Sequence, residues 1–346
     1  MKSFLNRPLG EMWRKGKRLK HGLPAILLSG LALAGLPPLP AAAQIAFPSK
    51  EITLIVPFAA GGPTDIVARA VGARMSQLLG QQIVVENVVG SGGATAAIRT
   101  KRSSPDGYTI MLGHMGTHAA AVAFNQNLGY SPAADFEPIG LVASMPVLVL
   151  ARREFPANTL AEFINYGRNS AANLTMAHAG TGSVSFATCE LLNSLTGLKP
   201  RLVAFQGTGP AMNAIAAGRV DYMCDQVVNV VPQVQAQAVK AYAVGTSARI
   251  SVLPDIPTSA EAGLPGFEAS AWNGFFAPKG TPKPIVQKIN AAVSAALEDE
   301  STRKQLVILG CNIPERESRT PEALAALVAN EIARWSSIVG SEGFGH

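Results

Sequence analysis

The feature that most constrains this chain is a glycine turn between an apolar run and an amphipathic run, at residues 54–65. The apolar run ends at Pro57, Gly61 and Gly62 follow, and Pro63 opens a stretch with apolar residues at helical spacing. This pattern predicts a strand, a tight turn and a helix start. The first amides of a helix lack an internal partner and lie at the positive end of its dipole. The turn therefore predicts half of a carboxylate or phosphate site, although an ordinary strand-to-helix turn has the same pattern.

A second glycine turn repeats this arrangement at residues 179–185. It follows an apolar run at 174–177 and opens a helical pattern that continues to residue 195, with Ser183 placed as the N-cap. Two helix starts that face each other would hold an anion with amides and hydroxyls rather than with arginines. A third turn, at residues 205–210, and Asp225 at the end of a predicted strand are further candidates.

Residues 1–43 have the pattern of an export signal. They carry seven basic residues and one acidic residue, an apolar run at 23–36 and a small-residue exit at Ala43. We expect a signal peptide cleaved near Ala43 and export of the mature chain. The apolar run is shorter than the roughly 20 residues of a membrane span, so an uncleaved anchor is the less favoured alternative.

Removal of this segment changes the net charge. The chain has 29 basic and 23 acidic residues, and 22 of each remain after residue 43. A neutral mature chain gives no indication of a nucleic-acid surface. No later segment approaches 18 uninterrupted apolar residues, so we expect the mature chain not to be inserted in a membrane.

The residues that could carry catalysis are few. Cys189, Cys224 and Cys311 are too few for a disulfide framework, and we expect the first two to be buried as small hydrophobic side chains. The cysteines lack metal-ligand spacing, and the sequence contains no nucleophile elbow, Walker loop or dinucleotide fingerprint, so we predict no cofactor, metal or catalytic residue. His114 and His118 have a spacing that can bind a metal on a helix, but loop side chains near a cleft are the favoured interpretation.

Apolar runs of strand length alternate with amphipathic runs of helix length, which predicts an α/β fold with largely parallel strands. The predicted strands are residues 52–56, 83–88, 108–113, 139–143, 145–151, 174–177, 201–205, 220–225, 241–246 and 272–278. The predicted helices are residues 64–79, 93–101, 117–124, a helix from 159, 183–195, 209–217, 258–263, 282–297, 301–309 and 321–339.

Two extended segments, 146–151 and 241–246, bracket the middle of the chain. We predict that they cross between two domains, one built from residues 44–145 and 250–346 and the other from 146–249. A small ligand would bind in the cleft between these domains.

Motifs along nearly the whole mature chain carry a family resemblance. They lie at residues 47–65, 85–87, 90–93, 105–109, 113, 116–118, 135–139, 180–183, 205–211, 217–218, 220–221, 272 and 274. In this combination the chain resembles the Bug-type periplasmic solute-binding receptors of tripartite tricarboxylate transporters.

The resemblance implies a two-lobed periplasmic binding fold of type II, with two inter-domain crossing strands and a ligand cleft between the lobes. It implies a monomer that captures a small organic carboxylate by hinge closure and delivers it to membrane permease subunits. Its implied ligand-binding residues are Phe58, Ala60, Gly61, Gly62, Thr64, Asp65, His114, Met115, Thr117, His118, Gly180, Thr181, Gly182, Ser183, Phe205, Gln206, Gly207 and Asp225.

Two positions depart from the family pattern. Phe205 stands where the family often has tyrosine, and Phe186 where a histidine often follows the second glycine turn. Both changes would make the pocket more apolar, which suggests an aromatic or weakly polar acid. Two alternatives stay open: a ligand sensor that feeds a membrane signalling partner, and an exported hydrolase that uses His114 or His118 as a general base.

Overall fold

The fold begins with strands and helices in alternation, as predicted. The computed structural model describes residues 47–169 and 173–342, and the predicted export signal at residues 1–43 lies outside them. The first elements are β1 (Ile52–Val56), α1 (Pro63–Leu79), β2 (Ile83–Asn87), α2 (Ala94–Lys101), β3 (Thr109–His114) and, after a π-helical turn at Gly116–Ala120, α3 (Ala121–Phe124).

The middle of the chain repeats the alternation after one long strand. Its elements are β4 (Phe136–Arg152), α4 (Leu160–Asn169), β5 (Thr175–His178), α5 (Val184–Thr196), β6 (Arg201–Ala204), α6 (Thr208–Ala216), β7 (Tyr222–Gln226), α7 (Val227–Gln235) and β8 (Val239–Val244). The C-terminal part consists of β9 (Ser270–Pro278), α8 (Lys283–Glu298), α9 (Glu300–Ile308) and α10 (Pro321–Glu342).

The strands form two sheets that share β4. The order along the path is β2-β1-β3-β9-β4-β7-β5-β6, and β8 also pairs with β4. β1 pairs in parallel with β2 and β3, and β5 pairs in parallel with β6 and β7. β4 runs antiparallel to β7, β8 and β9, and β9 runs antiparallel to β3. The prediction of largely parallel strands is therefore wrong at the centre, because β4 and β9 run against their neighbours.

β4 is a single strand of 17 residues, where the sequence predicted two runs. Its first part pairs with β9 as far as Pro146, and it then pairs with β7 from Val147 and with β8 from Leu148. Proline has no amide hydrogen for a strand ladder. Pro146 thus lies where β4 changes partners.

α1 holds the first glycine turn in place by packing on its sheet. Val67, Val71 and Met75 recur at helical spacing, and each side chain is fully buried. Burial of a side chain of this size contributes about 1.5–3 kcal/mol. The three cysteines lie in the core as buried free thiols, as expected for Cys189 and Cys224.

Two local predictions failed. Residues 227–235 form α7, which the sequence reading missed because its valines are β-branched and Pro232 lies inside the helix. Residues 258–263 form a turn rather than a short helix. The predicted capping contacts are present there, since Thr258 N donates to Glu261 and Glu261 N donates to Thr258 Oγ1, but no helix follows.

Candidate ligand-binding site

The first glycine turn is held by a buried carboxylate. Asp65 accepts hydrogen bonds from Gly61 N at 3.0 Å and from Asn87 Nδ2 at 3.0 Å, and Arg69 forms an ion pair with it at 2.9 Å. Burial alone would raise the pKa of Asp65, but the hydrogen bonds from Arg69, Gly61 and Asn87 outweigh it and lower that pKa. Asp65 is thus an ionised carboxylate whose charge is compensated, and it fixes the turn before α1.

The first turn of α1 has no side-chain cap. Gly62 is the N-cap and supplies no side-chain cap, and Pro63 follows it. The amide groups of a first helical turn have no carbonyl partner within the helix, and the dipole favours an anion there. This end of α1 can therefore donate to a carboxylate.

The second glycine turn places two hydroxyls beside the start of α5. Ser183 Oγ accepts from Phe186 N at 3.2 Å, as its predicted N-cap role requires. Ser185 Oγ accepts from Ala179 N at 3.0 Å and lies 3.2 Å from Ser183 Oγ. Both serines are buried, so their hydroxyls have fixed positions at the helix start.

Loops from the two sheets are in direct contact around this site. A Cβ atom at Gly92 would overlap the carbonyl oxygen of Thr181, and Ala59 N donates to Gln206 O at 3.0 Å. Gly92 has a φ of 63°, which also favours glycine. The loops after β1 and β2 therefore meet the loops after β5 and β6, and glycine permits the close approach.

These contacts surround two neighbouring cavities. The smaller has a volume of about 20 Å³ and is lined by Phe58, Gly62, Pro63, Thr64, Asp65, His114, Ala179, Ser183, Val184, Ser185, Thr208 and Gln226. The larger has a volume of about 370 Å³ and is lined by Phe58, Gly90, Ser91, Gly92, Asn125, Ala179, Gly180, Thr181, Ala204, Phe205 and Gln206. No lysine or arginine is among these lining residues. An anion here would meet helix dipoles, amides and hydroxyls.

His114 adds a neutral donor to the smaller cavity. Its Nδ1 accepts from Thr117 N at 3.2 Å, which leaves the proton on Nε2. Its ring stacks on Phe58 with 5.1 Å between centroids. Burial lowers the pKa of His114 to about 4, so the ring is neutral at pH 7 and can donate without adding charge.

Comparison with known protein families identifies the kind of protein that carries this site. A profile described as "Tripartite tricarboxylate transporter family receptor" matches residues 67–344. This chain belongs to that family. The predicted membership is confirmed, and the chain is a periplasmic solute-binding protein of the Bug type.

Solved structures with the same fold support the assignment. The chain is 52% identical to MatC from Rhodopseudomonas palustris with bound malate, covering 85% of this chain and 100% of MatC, with a TM-score of 0.83. It is 39% identical to the periplasmic binding protein BugD, covering 86% and 99%, with a TM-score of 0.83. A second R. palustris protein, solved with adipate, is 33% identical, covering 86% and 98%, with a TM-score of 0.81.

These comparisons confirm the predicted α/β two-lobed periplasmic binding fold of type II. The family and its structural neighbours are solute-binding proteins and not enzymes, so the exported-hydrolase alternative is dropped. Within residues 47–169 and 173–342, no helix combines the length and apolar character that a membrane span requires.

The receptor's predicted site residues fall into three groups. Those that line the smaller cavity are Phe58, Gly62, Thr64, Asp65, His114 and Ser183. Those that line the larger cavity are Phe58, Gly180, Thr181, Phe205 and Gln206. Those that line neither cavity are Ala60, Gly61, Met115, Thr117, His118, Gly182, Gly207 and Asp225.

His118 belongs to the packing behind the site. Its ring stacks on Phe276 with 3.8 Å between centroids and lies 5.0 Å from Phe136. Its Nδ1 is 2.9 Å from Thr117 Oγ1, and burial lowers its pKa to about 3. His118 therefore supports the turn that carries His114.

Asp225 lies behind the smaller cavity and orders its wall. Its Oδ1 accepts from Gln226 N at 2.8 Å, and its Oδ2 accepts from Asn229 Nδ2. Asn229 Nδ2 also donates to Thr208 O at 3.2 Å. Burial raises the pKa of Asp225 to about 7, although hydrogen bonds from Asn229, Gln226 and Thr208 oppose the shift.

Six residues that line the smaller cavity are absent from the predicted ligand-binding set. They are Pro63, Ala179, Val184, Ser185, Thr208 and Gln226. All except Gln226 lie inside the three predicted turns at residues 54–65, 179–185 and 205–210, so counting every residue of each turn would have included them. Gln226 had one signal, its place directly after Asp225.

Proposed function

We propose that this receptor captures a small aliphatic dicarboxylate and delivers it to the membrane permease subunits of a tripartite transporter. The observation that carries the proposal is the convergence of the α1 and α5 starts on one cavity without a lysine or arginine in its lining. Helix starts and hydroxyls suit a carboxylate, which only accepts hydrogen bonds.

The bound ligands of two relatives support the aliphatic class. MatC was solved with malate, and the second R. palustris protein with adipate. The sequence suggestion of an aromatic or weakly polar acid depended on Phe205 and Phe186. Phe186 is buried and packs against Phe124 and His178, so it does not set the polarity of the cavity. Phe205 does line the larger cavity, but the malate and adipate of these relatives lead us to favour an aliphatic dicarboxylate.

We also propose that hinge closure drives capture, with lobes at residues 44–145 plus 250–346 and at 146–249. The change of partners along β4 at Pro146 supports the first boundary. Near the second boundary, Gly245 N donates to Val147 O and Ala269 N donates to Gly245 O, close to that change. A ligand that contacts both lobes would favour the closed form, because it binds the open form less well.

The experiment is a thermal-shift panel on the mature protein with malate, succinate, adipate, citrate, benzoate and a sugar. We expect a dicarboxylate at 100 times its Kd to raise Tm by about 5 °C, since binding at that ratio adds about 2.7 kcal/mol of stability. The dimethyl ester of the same acid is the matched control and should give no shift. Stabilisation by the ester, or by the sugar alone, would contradict the proposal.

A further inference from the structure

Gln226 lines the smaller cavity and has a side-chain oxygen without a hydrogen-bond partner among the described residues. It is the last residue of β7, its residue surface is 3% exposed, and it lines the cavity together with His114, Ser183 and Thr208. Its backbone amide donates to Asp225 Oδ1. Its side-chain Oε1 is buried and has no hydrogen-bond partner among the described residues. A buried amide oxygen is normally paired, so this atom calls for a donor.

The other polar groups around this cavity are hydrogen-bond donors, which suit a carboxylate. The α1 and α5 starts, the hydroxyl of Ser183 and the Nε2 proton of His114 can all donate. A carboxylate accepts from such groups but has no hydrogen to offer an amide oxygen. The Gln226 oxygen therefore matches a part of the ligand that is not a carboxylate.

The charges nearby decide which donor fits. An ammonium group would need an uncompensated carboxylate close to it. Asp65 is already paired with Arg69, and both oxygens of Asp225 accept hydrogen bonds from the protein. A neutral hydroxyl needs no counter-charge, so it fits the amide oxygen better than an ammonium does.

We infer that Gln226 accepts a hydrogen bond from a hydroxyl on the ligand, and that the receptor's ligand class is the 2-hydroxydicarboxylates. This inference rests on the proposed function and narrows it. Gln226 is thereby a specificity-determining residue, which distinguishes malate from succinate by one hydroxyl. A single fixed acceptor should also distinguish the two enantiomers of malate.

The test is isothermal titration of wild type, Q226M and Q235M with L-malate, D-malate, succinate and L-aspartate. Methionine keeps the length of the glutamine side chain but removes its amide. Gln235 is an exposed glutamine at the other end of α7, so Q235M is the matched control. We expect wild type and Q235M to bind one malate enantiomer at least about tenfold more tightly than succinate. In Q226M this ratio should fall towards one, mainly through weaker malate binding.

Several results would overturn the inference. They are equal affinities of wild type for malate and succinate, tighter binding of aspartate than of malate, and an equal loss of malate and succinate binding in Q226M. Because the wild-type ratios need no variant, a Q226M protein that fails to fold leaves the inference testable. If folded wild type binds succinate as tightly as malate, only this inference fails. If it binds no dicarboxylate, the proposed function fails as well.

Discussion

At the scale of single residues, the site keeps its fixed charges engaged and leaves its neutral donors open. The carboxylates of Asp65 and Asp225 accept hydrogen bonds from the protein, while His114 is neutral and lines the cavity. A ligand carboxylate therefore meets polar groups without meeting an unpaired like charge. Of these residues, Asp225 should have a measurable effect on the stability of the folded protein.

Asp225 should make stability depend on pH. Burial raises its pKa from 3.8 to about 7, so between these values the folded state keeps a proton that the unfolded state has released. Its contribution to folding is present at low pH and is lost as the pH rises to about 7. We expect the stability of wild type relative to D225N to fall across this window. This loss of stability relative to D225N should be a few kcal/mol, since one pKa unit corresponds to about 1.4 kcal/mol.

Urea denaturation of both proteins at several pH values between 4 and 7 measures this difference. The lowered pKa of His114 acts in the opposite direction, but it is present in both proteins and cancels in the comparison. Parallel stability curves would show that Asp225 ionises like an exposed aspartate.

At the scale of elements, the glycine turns set how closely the two sheets' loops can approach. Gly92 contacts the Thr181 carbonyl across the site, so a side chain at this position would hold the loops apart. We expect G92A to weaken dicarboxylate binding by tenfold or more. Positive φ alone costs a non-glycine residue about 1–2 kcal/mol, so the variant should also lose some stability.

Gly197 offers the matched control for this prediction. Its φ is 69°, close to the 63° of Gly92, but a Cβ atom there would have nothing within 4 Å. G197A should therefore lose a similar amount of stability and keep wild-type affinity. If titration calorimetry gave G92A and G197A the same affinity for the dicarboxylate, the role assigned to the close contact between Gly92 and Thr181 would be contradicted.

Element patterns in the sequence predicted most strands and helices because hydrophobic spacing and cap residues act locally. The start of α1 at Pro63 and the Ser183 cap of α5 are examples. Tertiary packing decided the rest, since α7 contains residues that favour a strand. The cavity wall was harder to predict because Thr208 begins α6 and Gln226 ends β7, and only the fold brings them together.

At the scale of the whole molecule, β4 connects the two sheets and would be the axis of the proposed hinge. It pairs with β9 on one side of Pro146 and with β7 and β8 on the other. α1 follows β1 in one sheet, and α5 follows β5 in the other sheet. A dicarboxylate held by both would link ligand contacts to closure of the entire receptor.

A crystal structure of the mature protein with L-malate tests this account most directly. We predict one malate carboxylate within hydrogen-bonding distance of backbone amides at the starts of both α1 and α5, with no lysine or arginine contact. Malate bound to one lobe only, or held by a lysine or arginine side chain, would contradict it.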